Sequence, residues 1–318
     1  MIKYLIIQLD DTSVSYCHYS NPSSKSRLIP LETLKSGIEW GMKENVTFQF
    51  LFPDYELPQE YKDIIETVYH ASIMPYGRRD EVEKSDSDVI VISDLKKLEL
   101  IADKTDTAYV VRGKLSDLID AVEKIKGLIE KVNRVTVIPT DVEKYNDSLN
   151  EVYGRFLDDL AGCVKEEYTK NHYVQFNLLT DRIILDKMNN CNAGYESISL
   201  CPDGKFYLCP AFYFDGDGFS VGDIEIGLDI KNRHLYKLEY APICRTCDSW
   251  QCKRCVWLNR KMTLEVNTPS HEQCVMAHIE RNASRLLLAN IREIGQFLPG
   301  KEIPELTYLD PFDKFANN

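Results

Sequence analysis

Apolar residues along this chain fall into short unbroken runs that alternate with longer segments of helical period. "YLIIQL" (4–9), "TFQFLF" (47–52), "ASIMPY" (71–76), "DVIVIS" (88–93), "AYVVR" (108–112), "VTVIP" (135–139) and "YVQFNLL" (173–179) read as strands, being short and rich in β-branched and aromatic residues. Most do not alternate apolar with polar positions, as parallel strands covered on both faces require. Between them "PLETLKSGIEWGMKEN", "PQEYKDIIETV", "DLKKLELIAD", "KLSDLIDAVEKIKGLIEKV" and the run from about 141 to 169 carry helical spacing. This rhythm over residues 1–185 predicts a βα domain, and a doubly wound sheet and an open or closed βα barrel both satisfy it.

After about residue 186 the texture changes. Glycine and cysteine rise, and "LCPDGKFYLCP" reads as a hairpin with "PDG" at its turn. An irregular Cys-rich stretch follows, then one helix over about 271–296 and a proline-punctuated tail. Residues 186–318 are therefore expected to form a second, smaller Cys-rich domain.

The length of 318 residues accommodates a large domain and a small one. "MIKYLIIQLDD" reads as a first strand rather than a signal peptide. No apolar run approaches the roughly 18 residues that span a bilayer, so a cytoplasmic protein without membrane contact is expected. The net charge of -12 argues against a general affinity for nucleic acid or anionic lipid. No phosphate-binding loop, dinucleotide fingerprint, H-E-x-x-H or nucleophile elbow is present.

Ten cysteines are present, and eight follow residue 190. In a chain without an export signal they read as metal ligands rather than disulfides. Cys191 is followed after twelve residues by Gly204 and after four more by Cys209; then comes Cys244-x2-Cys247-x4-Cys252-x2-Cys255, and eighteen residues later Cys274. Thiols two residues apart reach a single metal or two irons of one cluster. Zinc is the competing reading, although four-cysteine zinc sites usually separate their pairs by roughly 15–20 residues. Between 244 and 261, Arg245, Lys253, Arg254, Arg260 and Lys261 face one acid, Asp248, a charge balance that suits an anionic cluster and equally a solvated basic loop. Trp250 and Trp257 either shield such a cluster or simply pack.

This pattern resembles the SPASM domain, the C-terminal extension of many radical SAM enzymes that mature peptides, whose signature is C-x9-15-G-x4-C, C-x2-C-x5-C-x3-C and a final C. Here spacings of four and two stand where the family has five and three. The resemblance implies two auxiliary [4Fe–4S] clusters, with Cys191, Cys209 and Cys255 on the first and Cys244, Cys247, Cys252 and Cys274 on the second. Cys201 has no fixed counterpart and reads either as a fourth ligand or as a packed hairpin thiol. His271 and His278 read as ordinary helix residues, with a zinc role as the alternative.

Radical SAM domains carry C-x3-C-x2-C after their first strand. Here "LDDTSVSYCHYSN" supplies Ser13-x3-Cys17-x2-Ser20, with Tyr19 as the customary aromatic. Serine is a poor replacement for a soft thiolate, so S-adenosylmethionine cleavage is not expected at this degenerate site. "FLFPDYELP" stands where the family has Gly-Gly-Glu. Cys163, inside a helical run, reads as a core residue.

The opening stretch and the Cys-rich tail together resemble the CXXX repeat peptide maturase family. That implies a radical-SAM-like partial βα barrel with a SPASM-like domain, acting on a Cys-rich precursor peptide with a catalytic partner protein or electron donor. A cleavage-deficient scaffold is the leading expectation; an atypical radical SAM enzyme and a zinc-stabilised interaction module are the alternatives.

Overall fold

The computed structural model describes residues 2–78, 89–101, 107–185, 191–249, 252, 255–295 and 297–300. In chain order its strands are β1 (Tyr4–Gln8), β2 (Thr47–Leu51), β3 (His70–Pro75), β4 (Val89–Ile92), β5 (Ala108–Gly113), β6 (Arg134–Pro139), β7 (Gln175–Phe176), β8 (Ser197–Leu200), β9 (Phe206–Tyr207), β10 (Gly222–Asp223) and β11 (Gly227–Leu228). Compactness divides the chain differently from sequence texture: Met1–Val91 with Asn192–Lys237 forms one unit, and Ile92–Cys191 with Leu238–Asn318 the other.

In the first unit the strand order is β4-β3-β2-β1-β8-β9. All these pairings are parallel except β8 with β9. Side chains alternate across a strand, and one face buries Leu5, Ile7, Leu9, Phe48, Phe50, Ile198 and Leu200 under Leu34, Ile38, Tyr61 and Ile65 of the covering helices. At about 1.5–3 kcal/mol for each large apolar side chain removed from water, this face supplies the unit's main driving force. The helix Leu31–Lys43 approaches closely because Gly41 has no side chain; a Cβ there would stand 2.5 Å from the Phe48 ring.

The opposite face carries Ile6 and Gln8 of β1 beside Gln49 and Leu51 of β2, with Ser199 next to Ile6. Gln8 is 1% exposed and Ser199 is fully buried. This face is far more polar than its partner.

In the second unit the order is β7-β6-β5, all parallel. The helices Asn150–Thr169 and His271–Ile294 pack together, and Ser270 caps the second by accepting the N–H of Gln273. The expected strand 173–179 shrinks to two residues because side chains take over its pairing. Asn177 accepts the Val137 amide at 2.8 Å and donates to the Val137 carbonyl at 3.0 Å, while Thr180 Oγ1 accepts the Phe176 amide at 2.7 Å. "DLKKLELIAD" forms a 3-10 run, Leu95–Leu100, and the helix expected over 114–132 breaks at Ala121 into Leu115–Asp120 and Val122–Ile129. Cys163 is buried, its thiol donating to the Lys126 carbonyl at 3.8 Å, and burial raises its pKa to about 12, as a core residue requires.

Candidate functional site

The loop after β1 is organised by Asp10, a fully buried carboxylate. Its Oδ1 accepts the Thr12 amide at 2.7 Å and the Thr12 hydroxyl at 2.6 Å, and its Oδ2 accepts Ser26 Oγ at 2.8 Å and Tyr55 OH at 3.0 Å. Four donors on one carboxylate offset the cost of burying it. Burial, aided by the hydrogen bond to Asp10 and its charge, raises the Tyr55 pKa against an opposing hydrogen bond with Ser26, so the phenol stays a donor.

Ser13 is 3% exposed. Its hydroxyl accepts the Asp10 amide at 3.0 Å and donates to the Leu51 carbonyl at 2.8 Å. Cys17 is half-buried and Ser20 is exposed. Asn21 Nδ2 clamps the loop from the far side, donating to the carbonyls of Asp11 and Ser13, and the buried Tyr19 stacks on Phe214. The degenerate triplet does not fit an iron centre: the Ser13 hydroxyl is used as donor and acceptor by backbone groups, and the three positions differ in burial. Asp10, Ser26 and Tyr55 escaped sequence reading because a lone Asp, Ser and Tyr have no diagnostic spacing. Tyr55 lies inside "FLFPDYELP", the stretch that stands where the resembled family has Gly-Gly-Glu.

Beside this loop Asp11 pairs with Arg27 at 3.0 Å and accepts Tyr213 OH, which in turn accepts a hydrogen bond from Arg27. Cys201 follows β8 and is fully buried; its amide donates to the Lys205 carbonyl at 3.1 Å across the "PDG" turn, where Gly204 takes a φ of +81°. Burial raises the Cys201 pKa well above the usual thiol value, and the charges of Asp203 and Cys209 add to it. Cys201 and Cys209 thus share a neighbourhood, and both belong to the first unit.

In the second unit Cys191 is exposed, Cys244 is buried, and Cys247, Cys252, Cys255 and Cys274 are half-buried. The Cys247 amide donates to the Cys244 carbonyl at 3.0 Å. His278 Nε2 stands 3.6 Å from Cys247 Sγ. Burial lifts the Cys247 pKa to about 11. Asp248, the one acid of the basic stretch, is buried and bound by Arg281 at 2.8 Å and by Arg285, so the stretch keeps its positive character. His271 sits near Asp147 at 3.4 Å, as a surface histidine does. Lys261 lies over the Trp257 ring at 4.9 Å. Trp250, Lys253 and Arg254 lie outside the described residues. Among the described residues no three His, Cys, Asp or Glu side chains converge as a metal site.

Two buried polar atoms on the polar face of the first unit, Gln8 Oε1 and Ser199 Oγ, meet no hydrogen-bond partner. Buried polar groups are ordinarily satisfied, so this face has the chemistry of a surface that receives a polar ligand.

The fold is that of anSMEcpe, an anaerobic sulfatase-maturating enzyme. A structure of that protein with bound AdoMet (S-adenosylmethionine) matches with a TM-score of 0.62 at 14% identity, covering 92% of this chain and 100% of that one. Two further structures carry AdoMet with peptides, Cp18Cys (TM-score 0.60, 14% identity, 92% and 100% coverage) and Kp18Cys (0.63, 13%, 92% and 99%). The likeness bears out the radical-SAM-like α/β fold. No family model matches the sequence, nor does any curated protein. Among the described residues no helix is long and apolar enough to cross a membrane.

Proposed function

We propose that this chain is a peptide-modifying enzyme of radical SAM/SPASM architecture, taking a cysteine-containing peptide against the polar face of β1 and β8. The observation that carries the reading is the likeness over nearly the whole chain to a protein captured with both AdoMet and peptides. The unsatisfied Gln8 and Ser199 atoms support it, since a peptide offers both donors and acceptors. In finer terms the peptide bears Cys-x-x-x repeats, the enzyme is cytoplasmic, and the thiols after residue 190 hold metal, for which the sequence resemblance implies [4Fe–4S] clusters. These thiolates would hold the clusters, and the clusters would supply electron transfer.

A second reading, a scaffold that binds the peptide without cleaving S-adenosylmethionine, is favoured by one observation: the Ser13 hydroxyl is committed to backbone partners. Anaerobic protein is titrated with S-adenosylmethionine and with a synthetic Cys-x-x-x repeat peptide, reduced, and assayed for 5′-deoxyadenosine. Peptide binding with 5′-deoxyadenosine supports the enzyme, peptide binding without it supports the scaffold, and no binding of either compound overturns both.

A further inference from the structure

The two polar ends of the Gln8 side chain have different fates. Its Nε2 donates to the Asp10 carbonyl at 3.2 Å, while its Oε1, buried, meets no partner. The Asp10 carbonyl also accepts the Ser13 amide at 2.9 Å, and the Asp10 carboxylate holds the loop through four donors. The Gln8 amide is therefore fixed in orientation, with its nitrogen spent on the loop and its oxygen left over. Only a donor satisfies that oxygen.

Ser199 Oγ is the second such atom, fully buried and also without a partner. The register puts Ser199 and Gln49 on either side of Ile6, with Gln8 two residues further along β1 on the same face. Ser199 and Gln8 are thus one strand and two residues apart, roughly 8 Å between Cα atoms, close to what two residues of extended chain cover. Gln49 is half-buried and is the member of the set that keeps contact with solvent. Ile6, Gln8, Gln49, Leu51 and Ser199 are all uncharged.

The face offers a fixed acceptor near a hydroxyl that both donates and accepts. A charged side chain brought against these residues would find no counterion among them, so acidic and basic groups are poor occupants. A cysteine thiol is a weak donor and would leave the demand of Gln8 largely unmet. A peptide main chain supplies an N–H and a carbonyl at every residue other than proline, whatever the side chain. Each unpaired buried polar atom costs free energy in the empty protein, and occupation by a main-chain group removes that cost.

We propose that Gln8 and Ser199 bind the main chain of the cysteine-containing peptide, Gln8 Oε1 accepting one of its N–H groups and Ser199 Oγ donating to one of its carbonyls. Resting on the peptide-modifying reading, this assignment gives it a specificity: the face recognises extended backbone rather than a side chain. The peptide's cysteine is left unengaged by Gln8 and Ser199, and its neighbours in sequence are free to vary, as the x positions of a Cys-x-x-x repeat do.

The full chain, purified anaerobically, is titrated with a synthetic Cys-x-x-x repeat peptide and with copies in which one main-chain amide at a time is replaced by an ester, which deletes that N–H. In the parent one ester position is expected to weaken binding about 5- to 100-fold. In Gln8→Met the same ester is expected to bind as the amide peptide does, the signature of a coupled pair. Ser199→Ala is expected to bind the amide peptide about 5- to 100-fold more weakly. Free of ligand, that variant is expected to melt no lower than the parent, because the hydroxyl it removes has no partner to lose. A parent indifferent to every ester, an ester effect equal in the parent and Gln8→Met, or undiminished peptide affinity in Ser199→Ala would each overturn the proposal. So would a lower melting temperature in Ser199→Ala, the mark of a structural hydroxyl, or a loss confined to S-adenosylmethionine titrated in parallel, which would make the cofactor the occupant. Peptide that fails to bind the parent overturns the peptide-modifying reading and this assignment with it. Peptide that binds without coupling to Gln8 or Ser199 overturns the assignment alone.

Discussion

The hydroxyl of Ser13 lies 2.8 Å from the carbonyl oxygen of Leu51 and donates to it. That bond fastens the loop after β1 to the end of β2, and it uses the side chain that a cluster-binding loop would have aimed at iron. Ser13→Cys with Ser20→Cys, which restores three thiols at the C-x3-C-x2-C spacing, is expected to gain no iron at this loop. Ser13→Ala leaves the Asp10 amide without its buried partner, while the Leu51 carbonyl keeps the Leu9 amide at 3.2 Å, at a cost of about 1–3 kcal/mol. Iron analysis and urea denaturation check the two outcomes.

Asp10 gathers four donors, and Tyr55 is one of them. Tyr55→Phe removes one hydrogen bond to a charged group and is expected to cost about 1.5–3 kcal/mol, while Asp10→Ala strands several donors and costs more. The ordering of the two denaturation midpoints is the check; a milder Asp10→Ala would contradict the hub.

Gly41 sits in a helix interior, where alanine normally stabilises by about 1 kcal/mol. Here the new methyl meets the rigid, buried ring of Phe48 at 2.5 Å, and overpacking costs about 1–3 kcal/mol. Gly41→Ala is therefore expected to lower the melting temperature, against the usual trend.

Glu280 accepts hydrogen bonds from Tyr153 and Arg182, all three being almost fully buried. Glu280→Ala leaves the Arg182 charge uncompensated in the core and is expected to destabilise the fold by about 3–5 kcal/mol. Replacing Arg182 as well, by Met, should recover part of the loss, measurable as a coupling energy in a double-mutant cycle.

Burial alone would raise the pKa of Glu167, but hydrogen bonds from Lys170 and His172 outweigh it and the carboxyl titrates lower than in an unfolded chain. Its contribution is whole above the unfolded value of about 4.3 and is lost as pH falls through the folded value. Glu167→Gln is expected to be less stable than the parent at pH 7 and to close the gap below about pH 4.

Long periodic segments were legible from the sequence: the helices Leu31–Lys43 and His271–Ile294 and strands β1 to β6 lie where the pattern put them, to within a residue or two. The apolar faces of those elements carry their own evidence. What escaped was written in single polar residues. Asn177 ends a strand by mimicking backbone, Asp10 builds a loop through donors up to 45 residues away, and Cys247 meets a histidine 31 residues on. Such contacts have no period, and only the folded chain brings them together. The polar face of β1 was equally hidden, since Gln8 in "YLIIQLD" looks like the end of an apolar run.

Glu280 and Arg281 are neighbours in sequence that serve different partners, the first answering Arg182 and the second holding Asp248. Both sit on His271–Ile294, the last helix among the described residues. While the chain is still being translated, Arg182 emerges about 98 residues before its counterion and cannot be buried at acceptable cost. The second unit is thus expected to close only once the helix His271–Ile294 has left the ribosome, and the turn bearing Cys247 acquires its anchor in the same event.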